Sequence, residues 1–548
     1  MPGDEVALAG VGGQAELEAT ANRRFAPTLV RNGAGLAFAA AAVLYVVLYM
    51  HLLRNVGLAY DEWEWLLYRM SSYSTVSSFG NIVLPYNSQP IVGEILLYRL
   101  WAHTVGVAHH WVLDFVYVLM EVGVAWLVYS MARRRVGPWP AVGCAVLVLV
   151  MGRAWETVLF PASMTFVLPT LAACAAWATL DDRRPVLIWA LVSVLLALAA
   201  LSGGLGIAVG VGLCVEVALA RRWGGLWLAA CAAVPWIVWY IAENATTGVD
   251  IARNLGKTPV WGAKYLAAAA AAAVGLPADA GFAVIPVVIV GIWLWRSHAR
   301  PSSPVWTPRA AGLLTTLLVA VIATGAARAT NTPPATSRYM YFPAIVMILL
   351  ACEWTAGLTL ARRRVAVALG VATVLLAGIL GVHQFRNGKV FFLGAADATA
   401  ARMGAMRLVG GPPLVIEPQG LGYTPALLAE FTRRFGSRPI YTEKEIAAAL
   451  PASRSAVDYV LASAEVRPGH SPHSCHAAPA GGDLPHTGTT VVIDSSRKHV
   501  AELVRFADVG SGVGFAVPPP RIVIRLRADH ITRPWRLLAP GSVVQVCK

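Results

Sequence analysis

Apolar runs long enough to cross roughly 30 Å of hydrocarbon as helices recur along this chain. They fall at about 33–53, 110–131, 139–153, 164–180, 186–202, 203–220, 223–242, 281–296, 308–326, 339–360 and 365–383. A soluble core cannot absorb so many, so the sequence predicts a polytopic α-helical membrane protein with about eleven spans. With 57% hydrophobic and 14% charged residues over 548 positions, there is too little polar surface to solvate a globule of this size. Basic clusters punctuate the runs: Arg23-Arg24, Arg133-Arg134-Arg135, Arg183-Arg184, Arg221-Arg222, Arg296 with Arg300, and Arg362-Arg363-Arg364. All fall on one predicted face, the cytoplasmic one by the positive-inside bias. The expected location is the plasma membrane, with the N terminus inside and, for an odd number of spans, the C terminus outside. The first run lies too far into the chain and is too long for a cleaved signal, and reads as a retained helix.

The net charge of +14 would fit a nucleic-acid partner if it were gathered on a soluble face. Much of it instead sits in the predicted cytoplasmic turns and at helix ends, where topology and lipid headgroups account for it. No nucleic-acid partner is expected.

The predicted domains are a cytoplasmic tail over 1–32, a transmembrane domain over 33–384 and an extracytoplasmic soluble domain over 385–548. The last reads as a small α/β unit with a β-rich tail. Leu414-Val415-Ile416, Tyr459-Val460-Leu461, Val491-Val492-Ile493, Ile522-Val523-Ile524 and Val543–Val546 read as strands, and Pro425 to Arg434 as a helix. Thr442 followed by Glu445 is a capping box that opens another helix. Cys144, Cys174, Cys214, Cys231 and Cys352 lie in apolar runs, where a thiol is a small hydrophobe. Only Cys475 and Cys547 lie outside them, in the compartment where a disulfide persists, so that pairing is expected. A metal site from His470, His473, Cys475 and His476 is the weaker alternative, because the four lack paired ligand spacing on ordered elements.

Between the first two runs, residues 54–109 form a long outside loop that begins Tyr60-Asp61-Glu62-Trp63-Glu64-Trp65. Carboxylates at a membrane face are costly and are functional candidates by default. Trp63, Leu66, Leu67 and Met70 recur with helical spacing, predicting a surface helix with Asp61 in the N-cap position. A second interfacial helix is predicted around Ile95–Trp101, after the break Tyr86-Asn87-Ser88-Gln89-Pro90.

One span, an outside Asp-Glu followed by Trp-x-Trp-Leu, two interfacial helices around a polar-Pro break, and a late outside Ser337-Arg338-Tyr339-Met340-Tyr341 entering a span resemble the GT-C superfamily of integral-membrane glycosyltransferases. The similarity covers about residues 33–383 and looks nearest to actinobacterial cell-envelope members with an extracytoplasmic C-terminal domain. The fold class expected is therefore GT-C-like transmembrane helices followed by an extracytoplasmic α/β domain. The resemblance implies a polyprenyl-phosphate sugar as donor, arabinofuranose or mannose as the first-choice sugar with galactose or glucose as alternatives, and a cell-envelope glycan or glycolipid as acceptor, among membrane lipids. Many relatives place a His where this chain has Gln89, which hydrogen-bonds but does not titrate near neutral pH.

Such a donor already carries an activated leaving group. The enzyme needs a carboxylate to take the acceptor proton and cations to meet the departing phosphate. Asp61 is the expected base, with inversion at the anomeric carbon, and Glu62 its substitute or an orienting partner. Arg338 is first choice for the phosphate because a guanidinium grips two oxygens and stays charged. Tyr339 stands beside it, and Arg328 is the second cation. Gln89, Trp155 and Glu156 are weaker substrate-binding candidates. A divalent cation beside Asp61 and Glu62 is chemically compatible, but too few ligands are identifiable to define a site, and no cofactor is expected firmly. Ser202-Gly203-Gly204-Leu205-Gly206 lacks the Lys-Ser/Thr ending of a phosphate loop and is read as a packing turn. Asn244 to Lys264 reads as an outside segment offering Arg253, Lys257 and Lys264 to lipid headgroups or donor phosphate. Pro259 and the alanines of 267–273 predict a short re-entrant or surface helix beside it. The alternative is a non-catalytic lipid or glycolipid transporter or binding protein with a transferase-like fold. A transporter is expected to show an internal repeat and midplane charges, whereas Asp114, Glu121 and Glu216 are few and scattered.

Overall fold

The computed structural model describes residues 33–69, 80–86, 89–181, 185–243, 251–299, 304–357, 363–409, 414–415, 422–423, 425–436, 440–462, 465–467, 474–478, 481–484, 490–517, 519–526 and 531–547. The chain begins with α1 (Gly33–Leu53). Next come α2 (Asp61–Tyr68), α3 (Gly80–Val83), α4 (Val92–Thr104), α5 (His110–Val136), α6 (Pro138–Leu149), α7 (Trp155–Leu159) and α8 (Met164–Asp181). Then follow α9 (Val186–Ala200), α10 (Leu205–Ala220), α11 (Leu226–Ala242), α12 (Ile251–Ala273), α13 (Gly281–Ala299), α14 (Pro308–Arg328), α15 (Tyr341–Trp354) and α16 (Arg363–Val409). Three shorter helices, α17 (Pro425–Phe435), α18 (Glu443–Ala448) and α19 (Pro451–Leu461), precede or interleave with the strands.

Among the described residues, 8 helices are long and apolar enough to cross a membrane, and the chain is a multi-pass membrane protein. The remaining three of the eleven expected spans are also helical, but they are the shorter α9, α10 and α15. Helix α9 ends at Ala200, α10 begins at Leu205 and α15 spans Tyr341–Trp354.

Contacts divide the chain into two compact units. One takes the chain up to Leu53, then Val83–Glu94 and Asp114–Gly388. The other takes Arg54–Ile82, Ile95–Leu113 and Lys389–Lys548, so most of the predicted outside loop groups with the C-terminal region. The boundary expected at 384 falls inside α16, an unbroken helix of 47 residues.

In the first unit, small residues allow helices to approach closely. A Cβ built on Gly212 of α10 would stand 1.8 Å from Thr316 Oγ1 of α14, so any larger residue forces the pair apart. Several charges buried in this unit are paired. Arg309 Nε donates to Glu216 Oε1 at 2.7 Å and Arg309 Nη2 to Trp177 O at 2.8 Å, tying α14, α10 and α8 together. Arg135 Nε donates to Glu353 Oε1 at 2.7 Å, joining α5 to α15. These pairs lie at the end of the bundle that carries the Arg133–Arg135 cluster. Glu121 accepts from the Tyr45 hydroxyl, linking α5 to α1. An unpaired ion in such surroundings costs far more than a paired one, and that cost selects these partners.

The second unit holds a β-domain. Strands β1 (Leu414–Val415) and β2 (Gly422–Tyr423) pair antiparallel. Strands β3 (Glu465–Arg467), β4 (Cys475–Ala478), β5 (Thr490–Asp494), β6 (His499–Val504), β7 (Val513–Val517), β8 (Arg521–Arg525), β9 (Arg536–Leu538) and β10 (Val543–Cys547) build two antiparallel sheets. Their orders are β3-β8-β5-β10-β4 and β7-β6-β9. Cys475 and Cys547 face one another across β4 and β10 and form a disulfide. The sulfur of Cys475 is thus committed, and no group of three His, Cys, Asp or Glu able to hold a metal occurs among the described residues. His470 and His473 lie outside the described residues. Val491, Ile493, Leu503, Val517, Ile524 and Val546 pack with Ala401 and Ala405, so the last turns of α16 belong to the core of this domain.

Tyr459-Val460-Leu461 is helical, not a strand. Pro451 opens α19 at its first position, where the missing N–H costs nothing, and a three-residue apolar window carries no period of its own. The helix places Asp458 in the core, where it accepts from the backbone N–H groups of Arg505 (2.8 Å), Phe506 (2.9 Å) and Ala507 (2.9 Å). Asp458→Ala is expected to cost about 3 kcal/mol, because several buried donors lose an anionic acceptor at once. Chemical denaturation monitored within the β-domain checks this, and a loss below about 1 kcal/mol would refute it. The capping box at Thr442 is formed: Thr442 Oγ1 accepts from Glu445 N at 3.3 Å, and Glu445 Oε2 accepts from Thr442 N at 2.8 Å.

The remaining departures are local. Helix α2 does not lie on a surface with a solvated polar side, since every residue from Glu62 to Leu67 is buried. Met70, Asn87 and Ser88 lie outside the described residues. The short helix expected at 267–273 is the second half of α12, 23 residues long with Pro259 inside it.

Candidate functional site

The carboxylate loop is assembled within the second unit. Tyr60, not Asp61, occupies the cap position of α2, with φ 43° and no capping side chain, and Asp61 is the first helical residue. A positive φ is strained for a bulky residue. It persists here because neighbours on both sides are fixed. Glu62 Oε2 accepts from Ala59 N at 2.8 Å, and Trp63 Nε1 donates to Leu58 O at 3.0 Å. Strain that surroundings over-determine is a mark of functional segments, and here it sits beside Asp61. Asp61 is half-buried.

Glu62, next along α2, is more deeply buried than Asp61. It is 1% exposed, and its Oε1 accepts from the Tyr98 hydroxyl at 2.5 Å and faces His110 Nε2 at 3.1 Å. Both oxygens are therefore committed to protein partners that hold α2 against α4 and the start of α5. Tyr98 and His110 are absent from the residues singled out by sequence. The only signal was the His109-His110 doublet just before an apolar run. The aromatic surroundings are dense: Trp65 meets Tyr98 edge-on at 5.2 Å, and Trp63 lies 5.5 Å from Phe431 of α17. Phe435 follows on α17 and reaches His103 at 5.9 Å, while Tyr60 meets Phe391 of α16 at 5.9 Å. Asp61 is thus bracketed by two aromatic residues, each pinned by the C-terminal region.

The first unit contains a cavity of about 250 Å³ lined by Gln89, Thr165, Tyr240, Tyr265, Thr324, Arg328 and Tyr339, with Phe166, Leu205, Trp236, Ile251 and Phe342 among its apolar walls. It brings together three candidates from distant parts of the sequence: Gln89, Arg328 and Tyr339. Arg328 is the last residue of α14 and the one charged residue among those lining the cavity. Tyr339 ends a single 3-10 turn, Ser337–Tyr339. It is fixed by an edge contact with Phe166 at 5.5 Å and by the Tyr265 hydroxyl donating to its carbonyl at 3.1 Å. Gln89 is held by a reciprocal backbone pair in which the N–H of each of Tyr86 and Gln89 donates to the carbonyl of the other, at 2.8 and 2.9 Å. Its side chain lies against Gly203, whose φ of +153° and missing Cβ leave that room. The Gly203-Gly204 turn, read as packing, also contributes Gly204 and Leu205 to the wall.

Arg338, first choice from sequence, does not line this cavity. Its backbone is clasped instead: Thr157 Oγ1 donates to Arg338 O at 2.8 Å and Arg338 N donates to Glu156 Oε2 at 3.3 Å. Its guanidinium is exposed and sits 5.5 Å from the Tyr339 ring. Glu156 thereby serves the 337–339 turn, and its own N–H donates to Ser337 Oγ at 3.1 Å. Trp155 packs where Gly388 of α16 leaves space, with no place in the cavity lining.

Glu94 lies in the first turn of α4 and carries no distinguishing sequence signal. It is 0% exposed and neither carboxylate oxygen has a hydrogen-bond partner. The nearby Ser202 hydroxyl accepts from Gly93 N at 3.2 Å and spends its own proton on Leu198 O at 2.7 Å. Burial pushes the Glu94 carboxyl up from 4.5 to about 8. A group whose folded value is raised keeps its proton in the folded state while the unfolded chain releases it. Stability therefore falls as pH rises from the unfolded value to about 8 and levels above it. Glu94→Gln, which does not titrate, is expected to melt progressively higher than wild type across that window. Melting in detergent from pH ~5 to ~8.5 tests this, and parallel pH profiles for the two proteins would contradict it.

Two solved structures resemble the chain at low similarity. One is ArnT from Cupriavidus metallidurans in the apo state, 15% identical, covering 76% of this chain and 91% of that chain with a TM-score of 0.42. The other is ArnT from the same organism bound to undecaprenyl phosphate, 15% identical, covering 75% and 89% with a TM-score of 0.39. No protein-family description matches the sequence, and no curated protein does. Similarity at this level assigns no activity or substrate.

Proposed function

We propose that this chain is a GT-C-type membrane glycosyltransferase that moves a sugar from a polyprenyl phosphate to a cell-envelope glycan or glycolipid on the extracytoplasmic face. One observation carries the reading: a largely apolar cavity that gathers Arg328, Tyr339 and Gln89 from three separated segments. At about 250 Å³ it falls just below the usual range for pockets that enclose a drug-sized ligand. It suits a phosphate with the first carbons of a lipid, the rest of the chain lying in the bilayer. A guanidinium and a phenol on an otherwise apolar wall match such an anion, and the low polarity strengthens their hold.

In the reaction, the acceptor hydroxyl loses its proton to the Asp61 carboxylate and its oxygen bonds to the anomeric carbon. The bond from that carbon to the phosphate oxygen breaks, and the electron pair leaves with the phosphate, whose charge meets Arg328. One displacement inverts the anomeric centre. Glu62 holds Asp61 in place through Tyr98, His110 and Ala59. The sugar is arabinofuranose or mannose, following the sequence resemblance to actinobacterial envelope enzymes.

The test is transfer of labelled sugar from synthetic polyprenyl-phospho-arabinose and polyprenyl-phospho-mannose by the purified protein in lipid. Turnover with one donor supports the reading and names the sugar. A second reading, a lipid-phosphate binding or transport protein, draws on one observation: no acidic residue is among those lining the cavity. Donor binding without turnover over a range of acceptors would favour it.

A further inference from the structure

Helix α12 does not cross the bundle. Along its length it is bonded to the segment that follows α14: Asn254 Oδ1 accepts from Thr330 N at 2.9 Å, Trp261 Nε1 donates to Thr332 O at 2.9 Å, and the Tyr265 hydroxyl donates to Tyr339 O at 3.1 Å. Just past its other end, Leu276 O accepts from Arg153 Nε at 3.1 Å. Arg328 and Tyr339 lie at this end of α14, whereas Arg309 and its ion pairs lie at the opposite one. The helix, about 34 Å long at 1.5 Å per residue, thus lies across the end of the bundle that holds the cavity.

One side of α12 is packed, with Asn254, Thr258, Trp261 and Tyr265 buried. The uncovered side carries Arg253, Lys257 and Lys264, all exposed. At 100° per residue these three fall within about 40° of one another, along one line. Val260, 66% exposed, is uncovered beside them, and α12 contains no acidic residue. Cations mixed with exposed aliphatics on a helix lying flat are the pattern of a headgroup-level surface. The cations also stand on the face opposite the basic clusters, so the positive-inside bias does not account for them.

We propose that the uncovered side of α12 is a docking surface for the phosphates of anionic phospholipids in the leaflet this end of the bundle faces. Arg253, Lys257 and Lys264 pair with headgroups while Val260 meets the first carbons of the chains. The inference rests on α12 alone and stands whether or not the chain transfers a sugar.

The full chain, reconstituted in phosphatidylcholine bilayers with trace spin-labelled phosphatidylglycerol or phosphatidylcholine, reports the fraction of each lipid that the protein immobilises. Wild type is expected to prefer phosphatidylglycerol by about fivefold or more at low salt, since each cation near an anionic surface contributes about that factor before screening. The triple variant Arg253→Gln, Lys257→Gln, Lys264→Gln is expected to lose most of the preference, and Arg253→Lys, Lys257→Arg, Lys264→Arg to keep it. An unchanged preference in the glutamine variant, or none in wild type, would overturn the proposal. Displacement of the label by polyprenyl phosphate at far lower mole fraction than by unlabelled phosphatidylglycerol would also overturn it, making the surface a donor-lipid site instead. The readout needs no turnover, so its failure leaves the transferase reading untouched and failure of the transfer assay leaves the lipid surface untouched.

Discussion

Asp61→Asn is expected to lower sugar transfer by about 10²–10⁴-fold, the range for loss of a general base, in a protein that still folds. The side chain is half-buried at the first helical position, after a Tyr60 held at positive φ. Asn matches Asp in shape, so the loop keeps its geometry, and only the capacity to take a proton disappears. Glu62 provides the contrast. Its two oxygens receive Ala59 N, the Tyr98 hydroxyl and His110, so Glu62→Gln is expected to act chiefly on stability. Melting temperature and initial rate measured on both variants separate the two residues. If Asp61→Asn retains more than about a tenth of wild-type transfer, Asp61 is not the base.

Arg328→Ala is expected to lower transfer by about 10²–10³-fold, comparable to removing one preorganised group from a charge-stabilising site. Arg328 is the one charged residue among those lining the cavity, so no lining cation takes over. Arg338→Ala is expected to lose far less, since that guanidinium is exposed and outside the lining. Arg328→Lys recovers part of the loss, because an ammonium keeps the charge without the two-pronged grip. Equal losses at 328 and 338 would remove the cavity from the phosphate-binding role.

The crossing helices were legible because an apolar run and its basic punctuation are signals spread over many residues. In the C-terminal domain, the triples at Val491, Ile522 and Val543 were visible for the same reason: consecutive β-branched residues fit a buried strand. Strands β6 and β7 escaped because His499, Glu502 and the glycine of Val513-Gly514-Phe515 dilute the alternation. At Tyr459-Val460-Leu461 the apolar triple was local, while the helix is set by Pro451 and by Asp458 meeting Arg505, Phe506 and Ala507 far along the chain.

The candidate site divides in the same way. Arg328, Tyr339 and Gln89 stood out as polar residues at apolar ends. The choice between Arg328 and Arg338 depended on a 3-10 turn that sends adjacent residues in different directions, which residue type does not reveal. Tyr98 and His110 were not legible as partners of Glu62, from which they stand 36 and 48 residues away, because pairing over that separation is a property of the folded loop. Glu94 stands out only by its burial, since a carboxylate in a helix of ordinary polarity looks solvated in sequence.

Strand β10 lies between β5 and β4, pairing with Val491–Ile493 on one side and with Cys475–Ala478 on the other. Until Val543–Cys547 arrives, the sheet consists of β3-β8-β5 with the edge strand β4 still unpaired, although both neighbours of β10 are made long before. During synthesis those neighbours must wait with open edges, the state in which strands pair with the wrong partner. Chain shortened ahead of Val543 leaves β4 without its partner strand and Cys475 without its disulfide, so the completion of the domain is set by the strand that arrives last.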